Sequence, residues 1–505
     1  MRYPGTLTYS KIAIEDYVGV KSRYIGKIYD RINTAQDANT DYIILDAGAS
    51  SDNDYYNGCY ITIIEGTGKG QTRLITDYSG TTKIATIDNA WEVIPNTTSV
   101  FRIYSGRFVP YNSNTVNESI ATIESEMNIG RFFKDNIYRG SRHVEGSVSG
   151  IEVDIENINV FLKAVLGKET NISLISGTNV YKREFIPEEN TQIQLPSITF
   201  EFFKKNIFWY TGVFAKTLKL YAEVDNLLKC DVDFIGMEEI ESTNPTQDRQ
   251  EPIYIKADSF KYYEGKMRFR SYSSQWATEF PLNDHYVELP IDKFEINYDN
   301  GVEHKNTFKG MEEVVANGAL QAGSTTTQVI LSATSSNEWN KYNGLYFKVM
   351  SGTMIGTTVK IIGYNPLTKT ATLETALPSA PAEGTLYELW NMHTNIYPYT
   401  IDRKEGKIEI TLDNDLDDLM MKIRREYKND YDCSVHLVFE TTEPIFGSQK
   451  GRLEVIIPRC KIESFDMEVS GKEFIPANFK LIGLAPESGE PAIKFIVYNT
   501  RAVEY

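Results

Sequence analysis

The chain has 505 residues, a formal net charge of −17, 41% apolar residues, 12% aromatic residues and 32 tyrosines. That is room for roughly two to four domains with sizeable cores, and Tyr alongside Thr, Val and Ile favours strands. The acidic balance excludes a protein that grips nucleic acid through phosphate neutralisation, which needs clustered Lys and Arg. No stretch reaches the length of a membrane-spanning helix, and Met1-Arg2-Tyr3-Pro4-Gly5 opens without a signal-peptide core. The expectation is a chain made and assembled in a cytoplasm.

Residues 1–39 read as an N-terminal arm. From 40 to 104, short apolar runs (Ile61 and Ile63, Leu74-Ile75, Ile84-Ala85 and Ile87) are separated by the Gly-rich turns Gly66-Thr67-Gly68-Lys69-Gly70 and Ser79-Gly80. This pattern predicts a small all-β module. Gly68-Lys69-Gly70-Gln71-Thr72 has neither the spacing of a phosphate-binding loop nor a helix after it, so a hairpin turn accounts for its glycines.

Residues 105–250 read as a first barrel domain. Gly146 to Asp154 alternates as a strand. A short helix follows with Val160, Phe161, Ala164 and Val165 on one face, Asp154 as its cap and Gly167 as its stop. Leu218, Leu220, Ala222 and Val224 then alternate with polar residues. A return strand through Leu228, Cys230, Val232 and Phe234 ends at Gly236.

Residues 251–325 begin a second such domain, and 391–505 complete it. Gly406 to Asp413 is again a strand, followed by a helix with Leu416, Leu419, Met420 and Ile423 inward. Strands follow through Leu453, Val455, Ile457, Cys460 and Ile462, then Phe465, Met467 and Val469, then Phe479 and Leu481. Strand, acidic cap and helix recur in the same order, which reads as an old duplication.

Between these two pieces, residues 326–390 repeat the small module. Tyr56-Asn57-Gly58-Cys59-Tyr60 returns as Tyr342-Asn343-Gly344-Leu345-Tyr346. The shift of 286 holds without a gap, with 14 identities over the 32 positions from 56 to 87. The second copy has Met354-Ile355 at the position of Gly68-Lys69, a further reason to set nucleotide binding aside.

Few residues suggest chemistry. His143, His285, His304, His393 and His436 do not pair at metal-ligand spacing. Asp413, Asp415, Asp417 and Asp418 lack the Gly and Glu of a calcium loop and read as helix-capping acids. Cys59, Cys230, Cys433 and Cys460 form no Cys-x-x-Cys pair, and Cys230 and Cys460 sit in alternating strand-like runs, which favours buried thiols over bridges. No catalytic residue, metal site or cofactor is expected.

Several stretches resemble the tail tube proteins of long-tailed bacteriophages. They are Val144-Glu145-Gly146-Ser147-Val148 with the helix ending Leu162-Lys163-Ala164-Val165-Leu166-Gly167, Leu195 to Glu201, Tyr210-Thr211-Gly212 running on to Leu218-Lys219-Leu220, and Val232 to Gly236. The resemblance covers 105–300 and 391–505 and is clearest over 105–240. It implies a mainly β chain of two tandem tube-like barrel or sandwich domains, each with a flanking helix, and the two small modules as outward-facing insertions.

The function so implied is a non-enzymatic structural subunit that stacks in rings around a channel for DNA. Rings of this family hold six barrel domains, so a chain with two would form trimers of pseudo-sixfold symmetry. The implied partners are further copies of the chain, the tape measure, tail terminator or distal tail proteins, and DNA in transit without specific binding. The implied location is the virion tail, assembled in the host cytoplasm. An acidic conduit suits DNA that must pass without sticking. Candidate channel-facing acids are Glu118, Glu124 and Glu126 on the first strand of one half, and Asp292, Glu295 and Asp299 on that of the other. The competing readings are a carbohydrate-binding or carbohydrate-active tail protein, for which two carboxylates at fixed separation are needed, and a distal tail ring component.

Overall fold

The structure is a computed structural model describing residues 8–26, 29–124, 137–191, 193–244, 248–250, 252–254, 257–281, 283–306, 312–392, 399–467 and 475–501. It is mainly β, and its main strands form two sheet systems of like topology, the first half and the second half.

In the first half the elements are β1 (Tyr9–Ile14), β2 (Arg107–Val109), β3 (Asn117–Glu124), β4 (Ile137–Glu152), α1 (Ile158–Leu166), β5 (Gly167–Leu174), β6 (Tyr181–Pro187), β7 (Ile198–Phe203), β8 (Ile207–Glu223), β9 (Lys229–Gly236) and β10 (Glu238–Glu241). In the second they are β11 (Gly265–Ser271), α2 (Ser274–Glu279), β12 (Val287–Leu289), β13 (Lys293–Asp299), β14 (Lys407–Asp415), α3 (Asp418–Lys428), β15 (Cys433–Phe446), β16 (Gln449–Met467), β17 (Pro476–Gly483) and β18 (Lys494–Asn499).

The ladders repeat from half to half. One sheet runs β3–β4–β9–β8 in the first half and β13–β14–β17–β16 in the second. A second sheet runs β2–β1–β7–β8–β10 and, correspondingly, β12–β11–β15–β16–β18. The long strands β8 and β16 belong to both sheets: their N-terminal parts lie in the second sheet and their C-terminal parts in the first. α1 packs on β8 and α3 on β16. Sheet and helix enclose one apolar core that runs through both halves, with Val144, Val148, Leu218 and Phe234 from the first and Ile408, Leu412, Phe465 and Leu481 from the second.

Local chemistry explains the elements. α1 is buried on nearly every side, stops at Gly167 with φ +89°, and passes directly into β5. Asp154 heads the turn before α1 rather than capping it. Its carboxylate accepts the N–H groups of Glu156 and Asn157 at 2.7 and 2.6 Å, and Asn157 occupies the cap position with its side chain bonded to Asp154 and Arg107 rather than to the helix N–H groups. The turn at 155–157 delays the helix by three residues. α3 is amphipathic, and Asp417 is its cap, accepting Met420 N–H at 2.7 Å.

The β5–β6 hairpin has no counterpart in the second half. It crosses over, and β6 pairs with β18, so the first half supplies two strands to the sheet of the second half that ends in β18. Arg183 on β6 is fully buried between Glu169 and Asn499, with its Nε 3.1 Å from the Asn499 amide oxygen. A second polar anchor holds the N-terminal segment. Glu15 is buried, and its carboxylate accepts Gly19 N–H, Ser197 Oγ–H, Thr199 Oγ1–H and Gly212 N–H at 2.8, 2.7, 2.8 and 2.9 Å.

The two modules are separate sheets with separate cores. Five strands of the first begin at residues 42, 60, 72, 84 and 100, and five of the second at 328, 346, 358, 370 and 386, each 286 later. They pair in the same order. The first sheet also takes in strands at 31–34 and 37–39, and the second one at 312–319. Each core holds an edge-on tyrosine pair, Tyr56–Tyr78 and Tyr342–Tyr364, with ring centroids 4.8 and 4.7 Å apart. Each places a left-handed lysine, Lys83 or Lys369, whose ammonium donates to two backbone carbonyls. Gly66 to Gly70 forms a turn into the strand Thr72–Ser79.

The modules occupy different loops. Module 1 lies between β1 and β2, where the second half has only the short connection carrying α2. Module 2 lies between β13 and β14, beyond the strand pair Val302–Asn306 and Tyr399–Arg403. The corresponding connection in the first half is 125–136, outside the described residues. The two modules touch: Trp339 Nε1–H donates to Asn53 C=O at 2.9 Å, and the Trp339 ring meets Tyr55 edge-on.

Candidate assembly surface

The strand β8 also pairs with β13, from Thr217↔Asp299 to Glu223↔Lys293. This joins the two four-stranded sheets into one sheet of eight, β3–β4–β9–β8–β13–β14–β17–β16. Alternation then sorts its side chains. Leu218, Leu220 and Ala222 on β8, Cys230, Val232 and Phe234 on β9, and Phe294, Ile296 and Tyr298 on β13 are buried in the core, as are Ile408, Ile410 and Leu412 on β14. Their neighbours form the opposite, solvent-accessible face.

That face is polar, and its carboxylates outnumber its lysines. Its acids include Glu145 on β4, Asp231 and Asp233 on β9, Glu295 and Asp299 on β13, Glu409 and Asp413 on β14, and Asp466 on β16. Several lysines of the face are committed to cross-strand pairs. Lys219 meets Glu295 at 2.8 Å across the β8–β13 junction, and Lys480 meets both Glu409 and Glu463 at 3.0 Å. Lys407 and Lys480 together hold the Glu409 carboxyl below its ordinary range. The surplus charge of the face is negative.

The acids named from the sequence distribute unevenly. Glu295 and Asp299 lie on the polar face. Asp292 is exposed at the end of β13, close enough to Asp415 and Asp413 that, after burial, their charges raise its pKa. Glu118 stands opposite Val144, so its side chain turns to the other face of β3, partly buried near Arg142 and Glu239, with burial raising its pKa. Glu124 is exposed at the far end of β3, and Glu126 lies outside the described residues. Sequence reading passed over Asp231, Asp233, Glu409 and Asp466, although alternation with residues read as buried would have found them.

The sheet ends in two edges. Among the described residues, β3 pairs only with β4, and the segment Lys461–Met467 of β16 pairs only with β17. Unpaired edges present rows of N–H and C=O groups ready to accept another strand. A cleft of about 760 Å3 lies elsewhere, between module 1 and the second half, bordered by Trp91, Asp88, Glu156, Asp258 and Phe446. Among the described residues, no three His, Cys, Asp or Glu are grouped to hold a metal, and no helix is long and apolar enough to cross a membrane. All four cysteines are buried free thiols.

The chain is thus a mainly β protein with a broad polar sheet that is backed by a core and, among the described residues, unpaired at both edges. The family model described as phage tail tube protein matches residues 82–334, half of the chain, and the chain belongs to that family. It is thus a structural subunit of the virion tail. No curated protein matches the chain.

Proposed function

We propose that the chain builds the tail tube as rings of three copies, each copy contributing two tandem halves and eight strands to a common inner wall. The observation that carries this is the eight-stranded sheet, continuous across both halves and, among the described residues, unpaired at both edges. Closure of such sheets into a ring removes every edge. Strands about 4.8 Å apart and tilted about 40° place 24 strands on a wall about 48 Å in diameter. On the same arithmetic, six copies would give a wall about 96 Å wide, far beyond what a duplex requires.

The polar face is the one that lines the channel in this reading, because the other is filled by core. Its excess of carboxylates, among them Glu295 and Asp299, repels phosphates and lets DNA pass without adhering. The modules then lie outside the tube: module 1 grows from the outer sheet, and module 2 packs against it through Trp339. Further copies and the proteins at either end of the tail are the expected partners. Negative-stain microscopy of the purified chain, with mass photometry, tests the proposal. Hollow tubes or stacked rings of three chains support it. A chain that stays monomeric at every concentration overturns it.

A further inference from the structure

Resting on the tube reading, we propose that the register of the chain–chain junction is already written inside the chain: Ser464–Met467 of one copy pairs antiparallel with β3 of the next, with Ser464 opposite Ser119 and Asp466 opposite Asn117.

The argument is that β8–β13 is itself a junction between the last strand of one half and the first strand of the next. Carrying it to the free edges requires residue-level equivalence between the halves, and three independent features fix it. First, β9 and β17 both end in Ile-Gly. Gly236 faces Val144 and Gly483 faces Ile408, each so closely that an added Cβ would fall 3.2 Å from the Val144 Cβ and 2.7 Å from the Ile408 Cβ. Val144 and Ile408 are therefore equivalent. Second, β8 has a bulge between Ala215 and Thr217, opposite Phe234 and Asp233, and β16 has one between Ile462 and Ser464, opposite Leu481 and Lys480. Both bulges stand at the same offset from their glycine, which makes Thr217 equivalent to Ser464 and Lys219 to Asp466. Third, Asn117 stands opposite Glu145 and Asn297 opposite Glu409, so the same Asn–Glu cross-strand pair recurs. Asn117 is thus equivalent to Asn297, and Ser119 to Asp299.

Inside the chain Thr217 pairs with Asp299 and Lys219 with Asn297. Replacing each residue by its equivalent gives Ser464 with Ser119 and Asp466 with Asn117. The occupant is a second copy of this chain because only such a copy presents the matching edge with the twist and curvature already used at β8–β13. The contact is head-to-tail, and repetition of one such contact closes into a ring or propagates without end. The two junctions differ in one respect. The internal one carries the Lys219–Glu295 ion pair, whereas the equivalents Asp466 and Thr115 offer no cation, so the chain–chain junction rests on the backbone ladder.

The test is disulfide trapping in the full chain. Asp466→Cys with Asn117→Cys, both at exposed positions, is oxidised after assembly and run on a non-reducing gel. Lys219→Cys with Asn297→Cys is the internal control at the equivalent pair, and Asp466→Cys with Ser119→Cys is the register control. The expected result is covalent dimers and trimers for the 466/117 pair, at least tenfold over the 466/119 pair. Rings that assemble but link preferentially at 466/119, or at neither, overturn the register while leaving the tube reading intact. Failure of the unsubstituted chain to form any ring overturns both. Hydrogen exchange on unsubstituted protein gives the same information without cysteines: amides of 464–467 and 117–119 slow on assembly, and unchanged exchange there refutes the proposal.

Discussion

Replacing Glu15 by Gln probes how the N-terminal segment is held, and pH separates two accounts of that site. Burial pushes the Glu15 carboxyl up from 4.5 to about 8, despite the four hydrogen bonds it accepts. The neutral acid is accommodated because Ser197 and Thr199 hydroxyls can turn to accept its proton. The folded chain then holds a proton that the unfolded chain releases above pH 4.5. The contribution of Glu15 to stability is full below pH 4.5 and is lost as pH rises toward 8. At about 1.4 kcal/mol per pKa unit, the swing is up to about 5 kcal/mol. Gln mimics the neutral acid at all pH values, but its NH2 group opposes a backbone N–H, from Gly19 or Gly212, at a fixed cost of about 1–3 kcal/mol. Melting temperatures of both proteins between pH 5 and 8.5 therefore converge or cross. The wild type is the more stable near pH 5, and the difference moves in favour of the variant by on the order of 5 °C by pH 8.5. Comparing the pair cancels the titration of every other group. A difference that stays constant with pH, or grows in favour of the wild type as pH rises, would show Glu15 to be ionised in the folded chain and refute the reasoning.

Other substitutions test single contacts. Gly483→Ala places a Cβ 2.7–2.9 Å from three atoms of Ile408, and the overpacking is expected to cost about 1–3 kcal/mol, read as a lower melting temperature. Asp417→Ala removes the α3 cap, with an expected loss of about 1 kcal/mol and faster amide exchange confined to the first turn of α3. Trp339→Ala removes the hydrogen bond to Asn53 and the ring contact with Tyr55. It is expected to speed exchange at 50–57 and 336–341 while leaving the cores of both halves unchanged; slowed or unaltered exchange in those loops would show the modules to be held by other contacts.

How much was legible beforehand follows from how each signal is encoded. The small modules share identities at a constant spacing, and their five common strands recur at that same spacing. The two halves share shape with few identities. The sequence sets Gly146–Asp154 beside Gly406–Asp413, but the ladders match Val144 with Ile408, four residues away from that alignment, and a bulge between Val148 and Ile151 takes back one of the four further along β4. The facing of acids was readable where alternation is clean. Phe294, Ile296 and Tyr298 alternate with Glu295 and Asp299, whereas Asn117-Glu118-Ser119-Ile120-Ala121-Thr122 has no such rhythm and carries a bulge between Ile120 and Thr122. The β5–β6 crossover was hidden because its partner strand, β18, lies more than 300 residues away along the chain. Nothing local in Tyr181–Pro187 distinguishes a strand that joins its own half from one that joins the other.

The most direct test of the central claim is a cryo-electron microscopy reconstruction of assembled tubes with no symmetry imposed. The account predicts three chains per ring, a continuous inner wall of 24 strands, carboxylates of the β9, β13 and β14 polar face on the bore, and the modules outside. Six chains per ring, or a bore lined by anything other than that face, would contradict it.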